Sequence, residues 1–269
     1  MTTDFKFKTK YDISDLLDIM KILRGEGGCP WDREQTHETI KRNFIEETYE
    51  VVEAINKNDS ELLCEELGDV MLQVVFHAQI ENEKGVFGFS DVADGICKKL
   101  IERHPHVFSD VCVSTTDEVL TNWDAIKAKT KNRKTTTESM LSVPRELPSL
   151  MRSTKIQEKA RKVGFDWDNT NDALCKLSEE IDELKEAIDK NDMNNAAEEL
   201  GDVLFSAVNV SRFIGVDAEQ ALTLSADKFL KRFSIVENLA KMRNINMESA
   251  TLEELDKLWD EAKIALASN

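Results

Sequence analysis

Two pairs of acidic residues in the second half of the chain have a spacing suited to holding metal ions. Glu180 and Glu183 are three residues apart, and so are Glu199 and Asp202. In an α-helix, residues at this spacing lie on one face, one turn above the other. A hairpin of two such helices would bring four carboxylates together. Their mutual repulsion would be relieved by bound cations.

The ligand type predicts the kind of ion and the kind of chemistry. Carboxylate oxygens without histidine or cysteine favour magnesium or manganese over zinc or iron. Such ions bridge phosphate oxygens and lower the pKa of bound water. Phosphoryl chemistry also needs cationic side chains, which Lys228 and Arg232 could supply from one helical face. Lys263, one turn after Trp259, could meet a phosphate while the indole stacks on a base.

The acidic pattern occurs twice. Residues 44–78 align without a gap with residues 177–211, and the equivalent acids are Glu47, Glu50, Glu66 and Asp69. Further repeated pairs are Trp31-Asp32 with Trp167-Asp168, Lys99 and Arg103 with Lys228 and Arg232, and Trp123 and Lys127 with Trp259 and Lys263. We therefore predict an internal duplication. The expected domains are residues 1–130 and 150–269, joined by a polar, proline-containing linker at 131–149.

Apolar spacing predicts the elements that position these acids. In the second half, an apolar stripe recurs at helical intervals, formed by Leu174, Leu177, Ile181, Leu184 and Ile188. We expect this stripe to be the face on which two helices pack, with the carboxylates at its edge. The corresponding hairpin in the first half is predicted at about 38–57 and 61–82. The fold class is all-α, and Gly68 and Gly201 inside helices indicate either close helix approach or room beside an ion.

Composition excludes several classes of function. The chain has 269 residues and a formal charge of −17, which disfavours nucleic-acid polymers and anionic membranes. No apolar run is long enough to span a bilayer, and residues 1–11 contain no apolar core typical of a signal peptide. The five cysteines form no CxxC pair. We predict a cytoplasmic protein without a thiolate metal site.

The arrangement of the acidic motifs resembles the MazG family of all-α nucleoside triphosphate pyrophosphohydrolases. Three further blocks carry the resemblance: 29–32 (Cys-Pro-Trp-Asp), 103–108 (Arg-His-Pro-His-Val-Phe) and 162–167 (Lys-Val-Gly-Phe-Asp-Trp). The resemblance implies a tandem protein that binds ATP or other nucleoside triphosphates. It implies magnesium-activated attack of water between the α- and β-phosphates, which gives a nucleoside monophosphate and pyrophosphate, with manganese as a substitute ion. It also implies a homodimer that completes the helical bundle.

The same resemblance assigns roles to residues of this chain. The implied metal ligands are Glu180, Glu183, Glu199 and Asp202, with Glu47, Glu50, Glu66 and Asp69 as a second set. The implied substrate contacts are Lys176, Glu179, Glu198, Lys228, Arg232, Trp259 and Lys263. Glu179 or a metal-bound carboxylate would be the general base, so the catalytic set is Glu179, Glu180 and Glu183. We favour the second half as the catalytic one, because Asn43 stands in the first half where the second has Lys176.

Three other interpretations remain open. The acids could line a solvated helix face and pair with lysines. A ferritin-type redox site is disfavoured, because such sites contain Glu-x-x-His motifs and the acidic motifs of this chain contain no histidine. A helical scaffold or nucleotide sensor without catalysis would keep the same ligands. The sequence leaves base preference and the number of working halves open.

Overall fold

The computed structural model describes residues 5–109, 115, 118–119, 123, 126 and 135–267. These residues form α-helices and no β-strand, which confirms the predicted all-α fold class. Contacts divide the chain into two compact units, 1–131 and 132–269. No helix in the described part is both long and apolar enough to cross a membrane.

The first unit is organised around one helical hairpin. Its helices are α1 (Ile13–Arg24), α2 (Pro30–Glu34), α3 (His37–Lys57), α4 (Ser60–Glu83), α5 (Phe89–Arg103) and α6 (Pro105–Phe108). The predicted hairpin agrees with α3 and α4 to within one residue at each end. It turns at Asn58, whose φ of 53° is left-handed, and at Asp59, which accepts hydrogen bonds from the first turn of α4.

The second unit repeats this hairpin. Its helices are α7 (Thr136–Leu141), α8 (Ser149–Arg161), α9 (Thr170–Asp189), α10 (Met193–Phe213), α11 (Ala218–Met242) and α12 (Leu252–Ala267). Asn191, with a φ of 54°, and Asp192 form the turn between α9 and α10. The C-terminal part of the segment predicted as a linker contains α7, which packs on α8, and a buried Val143. Residues 131–134 of that segment lie outside the described residues.

The predicted packing face of the hairpin was wrong for three of its five residues. Leu174, Ile181 and Ile188 are 46%, 38% and 53% exposed. The buried residues of α9 are instead Ala173, Glu180 and Ala187, which recur every seven residues. Small alanine side chains let α9 and α10 approach closely on this face, and Leu177 and Leu184 are half-buried.

Each unit places its main apolar core outside the acidic part of its hairpin. In the first unit, the core joins α1 to the ends of the hairpin and consists of Met20, Ile40, Val75, Phe76 and Ile80. In the second unit, the core lies between α11 and α12 and consists of Val236, Ala240, Leu258 and Ala262. The acidic segments of the hairpins are therefore positioned by the packing of the hairpin ends and of the neighbouring helices.

Candidate functional site

The predicted carboxylate cluster of the second unit forms between α9 and α10. Carboxylate oxygens of Glu180, Glu199 and Asp202 all lie within 4.8 Å of one another. Glu180 is only 6% exposed, whereas Asp202 is open to solvent. Glu183, one turn further along α9, makes a hydrogen bond with Glu180. All four predicted metal ligands are therefore brought together.

A lysine neutralises the most buried carboxylate of this cluster. Lys176 Nζ donates to Glu179 Oε1 at 2.7 Å and lies 2.8 Å from Glu180 Oε1. These two carboxylates raise the pKa of Lys176, which keeps the ammonium charged. The hydrogen bond to Glu180, followed by burial and the negative charge of Glu180, raises the pKa of the Glu183 carboxyl. One lysine does not balance the cluster, which therefore favours binding of additional positive charge.

The first unit contains the equivalent cluster without the lysine. Oxygens of Glu47, Glu66 and Asp69 lie within 4.8 Å of one another, and Glu50 makes hydrogen bonds with Glu47 and Glu66. Burial, followed by the neighbouring negative charges, raises the pKa of both Glu47 and Glu66. Asn43 occupies the position of the lysine. The cluster of the first unit is therefore less neutralised.

The seven-residue spacing explains why a carboxylate points into each hairpin. Glu180 lies between Ala173 and Ala187, one heptad away on either side, and Ala187 is 2% exposed. Glu47 has the same position between Ile40 and Ala54, and both of these neighbours are buried. Residues seven apart lie on nearly the same face of a helix. The packing of the apolar neighbours therefore carries the carboxylate into the interface between the two helices.

An aromatic and arginine pair forms a second candidate cluster in each unit. The Arg232 guanidinium lies 5.8 Å from the centroid of the Trp259 ring, and Phe229 lies 5.1 Å from the same ring. Arg103 lies 5.8 Å from the Trp123 ring in the first unit. Lys263 pairs with Asp260 at 2.7 Å, whereas its counterpart Lys127 lies outside the described residues. The arginine–tryptophan pair that repeats in the sequence is therefore also formed in the structure of both units.

The predicted substrate contacts do not all meet within the second unit. Lys176 and Glu179 adjoin the carboxylate cluster, and Glu198 is exposed on α10. The remaining four, Lys228, Arg232, Trp259 and Lys263, belong to α11 and α12. Among the described residues, α11 and α12 make no packing contact with α9. The carboxylate and arginine–tryptophan clusters are therefore separate groups in one chain.

Two polar networks were missed by the sequence reasoning. The Nδ1 atoms of His37 and His77 are 2.7 Å apart, and His37 Nε2 lies 2.6 Å from Glu81 Oε1. Arg212 makes a two-pronged ion pair with Asp166, with Nη1 2.8 Å from Oδ2. Each network joins residues at least 40 positions apart in the chain. The i, i+4 placement of His77 and Glu81 on one helix face was the one local signal available.

The donor set of each cluster fits a hard divalent cation. Its ligand atoms are carboxylate oxygens, and three of them already lie within 4.8 Å of one another. Magnesium takes oxygen ligands at about 2.0–2.1 Å and keeps several waters, so three or four carboxylates suffice. Zinc and iron sites would be expected to include nitrogen or sulfur ligands. The geometry therefore fits the binding of a hard divalent cation.

The repeated helical hairpins, with carboxylates gathered between their helices, define an all-α class of protein whose donor set suits a divalent cation. A family profile described as the MazG nucleotide pyrophosphohydrolase domain matches residues 35–108 and again residues 169–237. The chain belongs to this family. The predicted enzyme class, a hydrolase of acid anhydrides, is confirmed with it.

Full-length relatives extend the similarity across the chain. A Thermotoga maritima protein, named nucleoside triphosphate pyrophosphohydrolase/pyrophosphatase MazG, is 44% identical over 249 residues, which cover 93% of this chain and 94% of the relative. An Escherichia coli K12 nucleoside triphosphate pyrophosphohydrolase is 43% identical over 256 residues, covering 93% and 97%. Bacillus subtilis YabN, named as uncharacterized, is 47% identical over 94% of this chain and 52% of its own length.

Proposed function

We propose that this protein hydrolyses ribo- and deoxyribonucleoside triphosphates to monophosphates and pyrophosphate at the carboxylate cluster of the second unit. The observation that carries the proposal is the buried Glu180, clustered with Glu199 and Asp202 and bound to Lys176. Holding the buried carboxylate of Glu180 beside other carboxylates that one lysine does not neutralise costs free energy, which a bound cation would offset. The names of the Thermotoga and Escherichia coli relatives support the same substrates and products.

Four residues would hold the metal: Glu180, Glu183, Glu199 and Asp202. Magnesium, or manganese in its place, would there neutralise phosphate oxygens and lower the pKa of bound water. Lys176 lies beside this set and can transfer its ammonium from Glu179 to a phosphate oxygen of ATP or another nucleotide.

Glu179 is our candidate general base. It lies in the solvent-exposed part of α9, and the ammonium of Lys176 holds it at 2.7 Å beside the cluster. When Lys176 turns to the phosphates, the carboxylate of Glu179 is released to accept a proton from the attacking water. A base must lie within hydrogen-bond reach of that proton, directly or through one water.

We also propose that two chains form a homodimer that completes the site. The outer face of the second hairpin exposes six large apolar residues: Leu174, Ile181, Ile188, Leu200, Leu204 and Phe205. A Cβ atom placed on Gly68 or Gly201 would meet nothing within 4 Å, so neither glycine serves close packing inside one described chain. A second copy placed on these faces would bury large side chains, at about 1.5–3 kcal/mol each. It could also bring Arg232 and Trp259 to a carboxylate cluster.

The setting of the proposed reaction follows the composition. We place it in the cytoplasm, since the free thiols of Cys29, Cys64, Cys97 and Cys175 suit a reducing compartment. Cys112 lies outside the described residues. The charge of −17 leaves nucleotides with bound cations as better ligands than nucleic-acid polymers.

The proposal is tested by pyrophosphate release from a panel of NTPs and dNTPs with magnesium. We expect Glu183→Gln to abolish release and the matched variant Glu50→Gln to leave most of it. Loss in Glu50→Gln alone would move catalysis to the first unit, and partial loss in both would indicate two working sites. Binding of magnesium–ATP without turnover by the wild type would overturn the hydrolase and favour a nucleotide sensor.

Light scattering tests the homodimer separately. We expect the wild type to have twice the mass of the 30.6 kDa chain. Charged substitutions on the outer face, such as Leu200→Glu with Leu204→Glu, should produce monomers. A wild type that is monomeric at micromolar concentration would contradict this part of the proposal.

A further inference from the structure

A buried arginine on α10 holds the loop that connects α8 to α9. Arg212 makes a two-pronged ion pair with Asp166, in which Nη1 lies 2.8 Å from Oδ2. The side chain of Arg212 is 9% exposed and that of Asp166 is 18% exposed. Arg212 also donates to Asn209 Oδ1 at 2.6 Å, which holds the guanidinium from its own helix. The ion pair therefore fastens the loop to α10, 46 residues later in the chain.

Hydrogen bonds to the backbone fix both ends of this loop. At the end of α8, Phe165 N donates to Ala160 O at 3.1 Å, as in a Schellman motif. Gly164 has the left-handed φ of 82° that this motif requires. At the start of α9, the side chain of Asn169 accepts from two backbone amides of the first turn. Residues 166–168 lie between these two anchors, and the ion pair holds the first of them.

The 166–168 segment faces the proposed substrate contacts of α9. It lines a cleft of about 370 Å³ together with residues of α9 that include Lys176 and Glu179. These two residues also adjoin the carboxylate cluster. A displacement of about 1 Å of the groups around a reacting centre can reduce a rate about 10²-fold. The position of the segment relative to Lys176 and Glu179 therefore bears on the reaction.

A buried ion pair fixes geometry more than it adds stability. The desolvation of two charges offsets much of their attraction, so the net gain in folding free energy is small. Two parallel N–H···O bonds, in contrast, set both the distance and the orientation of the carboxylate. The hydrogen bond from Arg212 lowers the pKa of Asp166, so the carboxylate stays ionised at neutral pH. The pair is therefore suited to holding the loop in one position.

The first unit holds its corresponding segment with an arginine from a different helix. Arg24 on α1 donates to the backbone carbonyl of Asp32, which corresponds to Asp168 in the repeat. It also makes a two-pronged ion pair with Glu83, with N···O distances of 2.8 and 2.9 Å, and its side chain is 5% exposed. Arg24 and Arg212 occupy unrelated positions. A buried arginine therefore fixes the repeated tryptophan–aspartate segment in both units.

We propose that Arg212 is a positioning residue for the reaction of the second unit. It is not among the residues that line the cleft, and it acts by holding the 166–168 segment opposite Lys176 and Glu179. This inference rests on the proposed function and deepens it by naming what positions the site. A segment held in its bound position reduces the ordering cost of binding. Loss of the ion pair should therefore raise KM while kcat changes little.

The first test measures steady-state pyrophosphate release from magnesium–ATP by Arg212→Met and by the gentler variant Asp166→Asn. We expect each to raise KM about tenfold, because only a fraction of the molecules then has the segment in place. The double variant should be no worse than either single variant, since the two residues act as one unit. Arg212→Lys keeps the charge without the fork and should restore KM to within about threefold. An unchanged KM in the single variants, or a further tenfold rise in the double variant, would overturn the proposal.

Arg24→Met provides the matched control in the first unit. It removes an arginine that is at least as buried and equally two-pronged. We expect both Arg24→Met and Arg212→Met to lower Tm, but only Arg212→Met to raise KM. Equal rises in KM would show that lost stability, rather than a displaced segment, weakens binding.

Hydrogen–deuterium exchange of the full chain without nucleotide separates failure of this inference from failure of the proposed function. We expect the amides of residues 165–167 to exchange faster in Arg212→Met than in the wild type, and to be unchanged in Arg24→Met. If pyrophosphate release requires Glu183 but KM does not respond to Arg212→Met, the positioning role is wrong and the function stands, whatever the exchange shows. If the wild type hydrolyses no triphosphate, the function is wrong, and faster exchange with weaker binding of magnesium–ATP in Arg212→Met would still support the positioning role.

Discussion

The two hairpins have the same turn and the same acidic residues, yet they differ in what surrounds the carboxylates. In the second unit, Lys176 binds Glu180, and a cleft opens along α9. In the first unit, Asn43 stands in place of the lysine, and the nearby Lys41 pairs instead with Glu38 at 2.5 Å. The first hairpin is further held by α1 and by the contact between His37 and His77. A duplicated metal motif can thus keep its ligands while its surroundings specialise.

The comparison suggests that the second unit carries the chemistry, whereas the first unit contributes mainly to stability. The first unit joins three helices around a core that includes Met20, Phe76 and Ile80. In the second unit, the hairpin packs on α8 and shares little packing with the core of α11 and α12, and large apolar side chains of both its helices are exposed. We infer that the second hairpin is left available for substrate and a partner chain. The predictions below test this division in order of expected effect.

Exchange of the lysine should have the largest effect. Lys176→Asn makes the second cluster resemble the first, and we expect kcat/KM for ATP to fall about 10²-fold, because a positioned cation next to the phosphates is lost. The reciprocal change Asn43→Lys should leave activity within about twofold of wild type. Pyrophosphate release measures both. A full loss caused by Asn43→Lys would contradict the assignment of catalysis to the second unit.

Removing the arginine of an arginine–tryptophan pair should change kcat/KM by a smaller factor, and the change should differ between the two units. Arg232→Met keeps the apolar stem but removes the guanidinium, and we expect a loss of about tenfold in kcat/KM. Arg232 Nε is buried and lacks a hydrogen-bond partner among the described residues, and the guanidinium faces the Trp259 ring, so the group retains hydrogen-bonding capacity for a phosphate. Arg103→Met is the matched control and should cost less than about twofold. Equal losses would mean that both units bind substrate.

Neutralising a carboxylate should stabilise the metal-free protein. Glu66→Gln removes a group whose pKa is raised by burial and neighbouring acids. A carboxyl group whose pKa is raised by folding lowers the stability of the folded state only when it is ionised. The loss is absent below the unfolded pKa of about 4.5 and grows as the pH rises from there through the raised pKa of the folded state. We expect Tm without metal to rise at pH 7 by about 1–3 °C.

Magnesium provides the control for this stability change. It should raise the Tm of the wild type, because an ion that binds only the folded state stabilises it by mass action. It should raise the Tm of Glu66→Gln less. A metal-free Glu66→Gln that melts below the wild type would show that the first cluster is a structural network rather than an ion site.

The smallest expected effect concerns the histidine pair of the first unit. Burial, followed by the charge of His37, lowers the pKa of His77, and Glu81 is held by Lys84 and His37. A lowered histidine pKa gives stability that is complete above the unfolded value of about 6.5 and declines as pH falls through it. We expect the Tm of His77→Gln to fall less than that of the wild type between pH 8 and 5.5, with His106→Gln as the control. Parallel curves for wild type and His77→Gln would remove the histidine pair as the cause.

Local sequence patterns were sufficient to predict much of the structure of this protein. The i, i+3 acids, the helical spacing of apolar residues and the repeat predicted the all-α class, the hairpin bounds and the meeting of Glu180, Glu199 and Asp202. These features depend on residues close in sequence or on a pattern present twice. The roles of Glu179, Glu198, Lys228 and the other assigned site residues remain predictions, since they depend on where a substrate lies.

Tertiary structure decided which face of each helix is inside. The periodicity of Leu174, Ile181 and Ile188 predicted an apolar stripe, and a stripe requires a covering surface without specifying which one. The hairpin instead packs on the small residues Ala173 and Ala187, because two helices approach most closely where side chains are short. That choice carries Glu180 inward and leaves Leu174, Ile181 and Ile188 exposed. The sequence by itself therefore determined the elements, the repeat and the ligand chemistry. Packing across residues distant in the chain determined the burial of the carboxylates, the ion pair of Arg212 and the cleft beside Lys176.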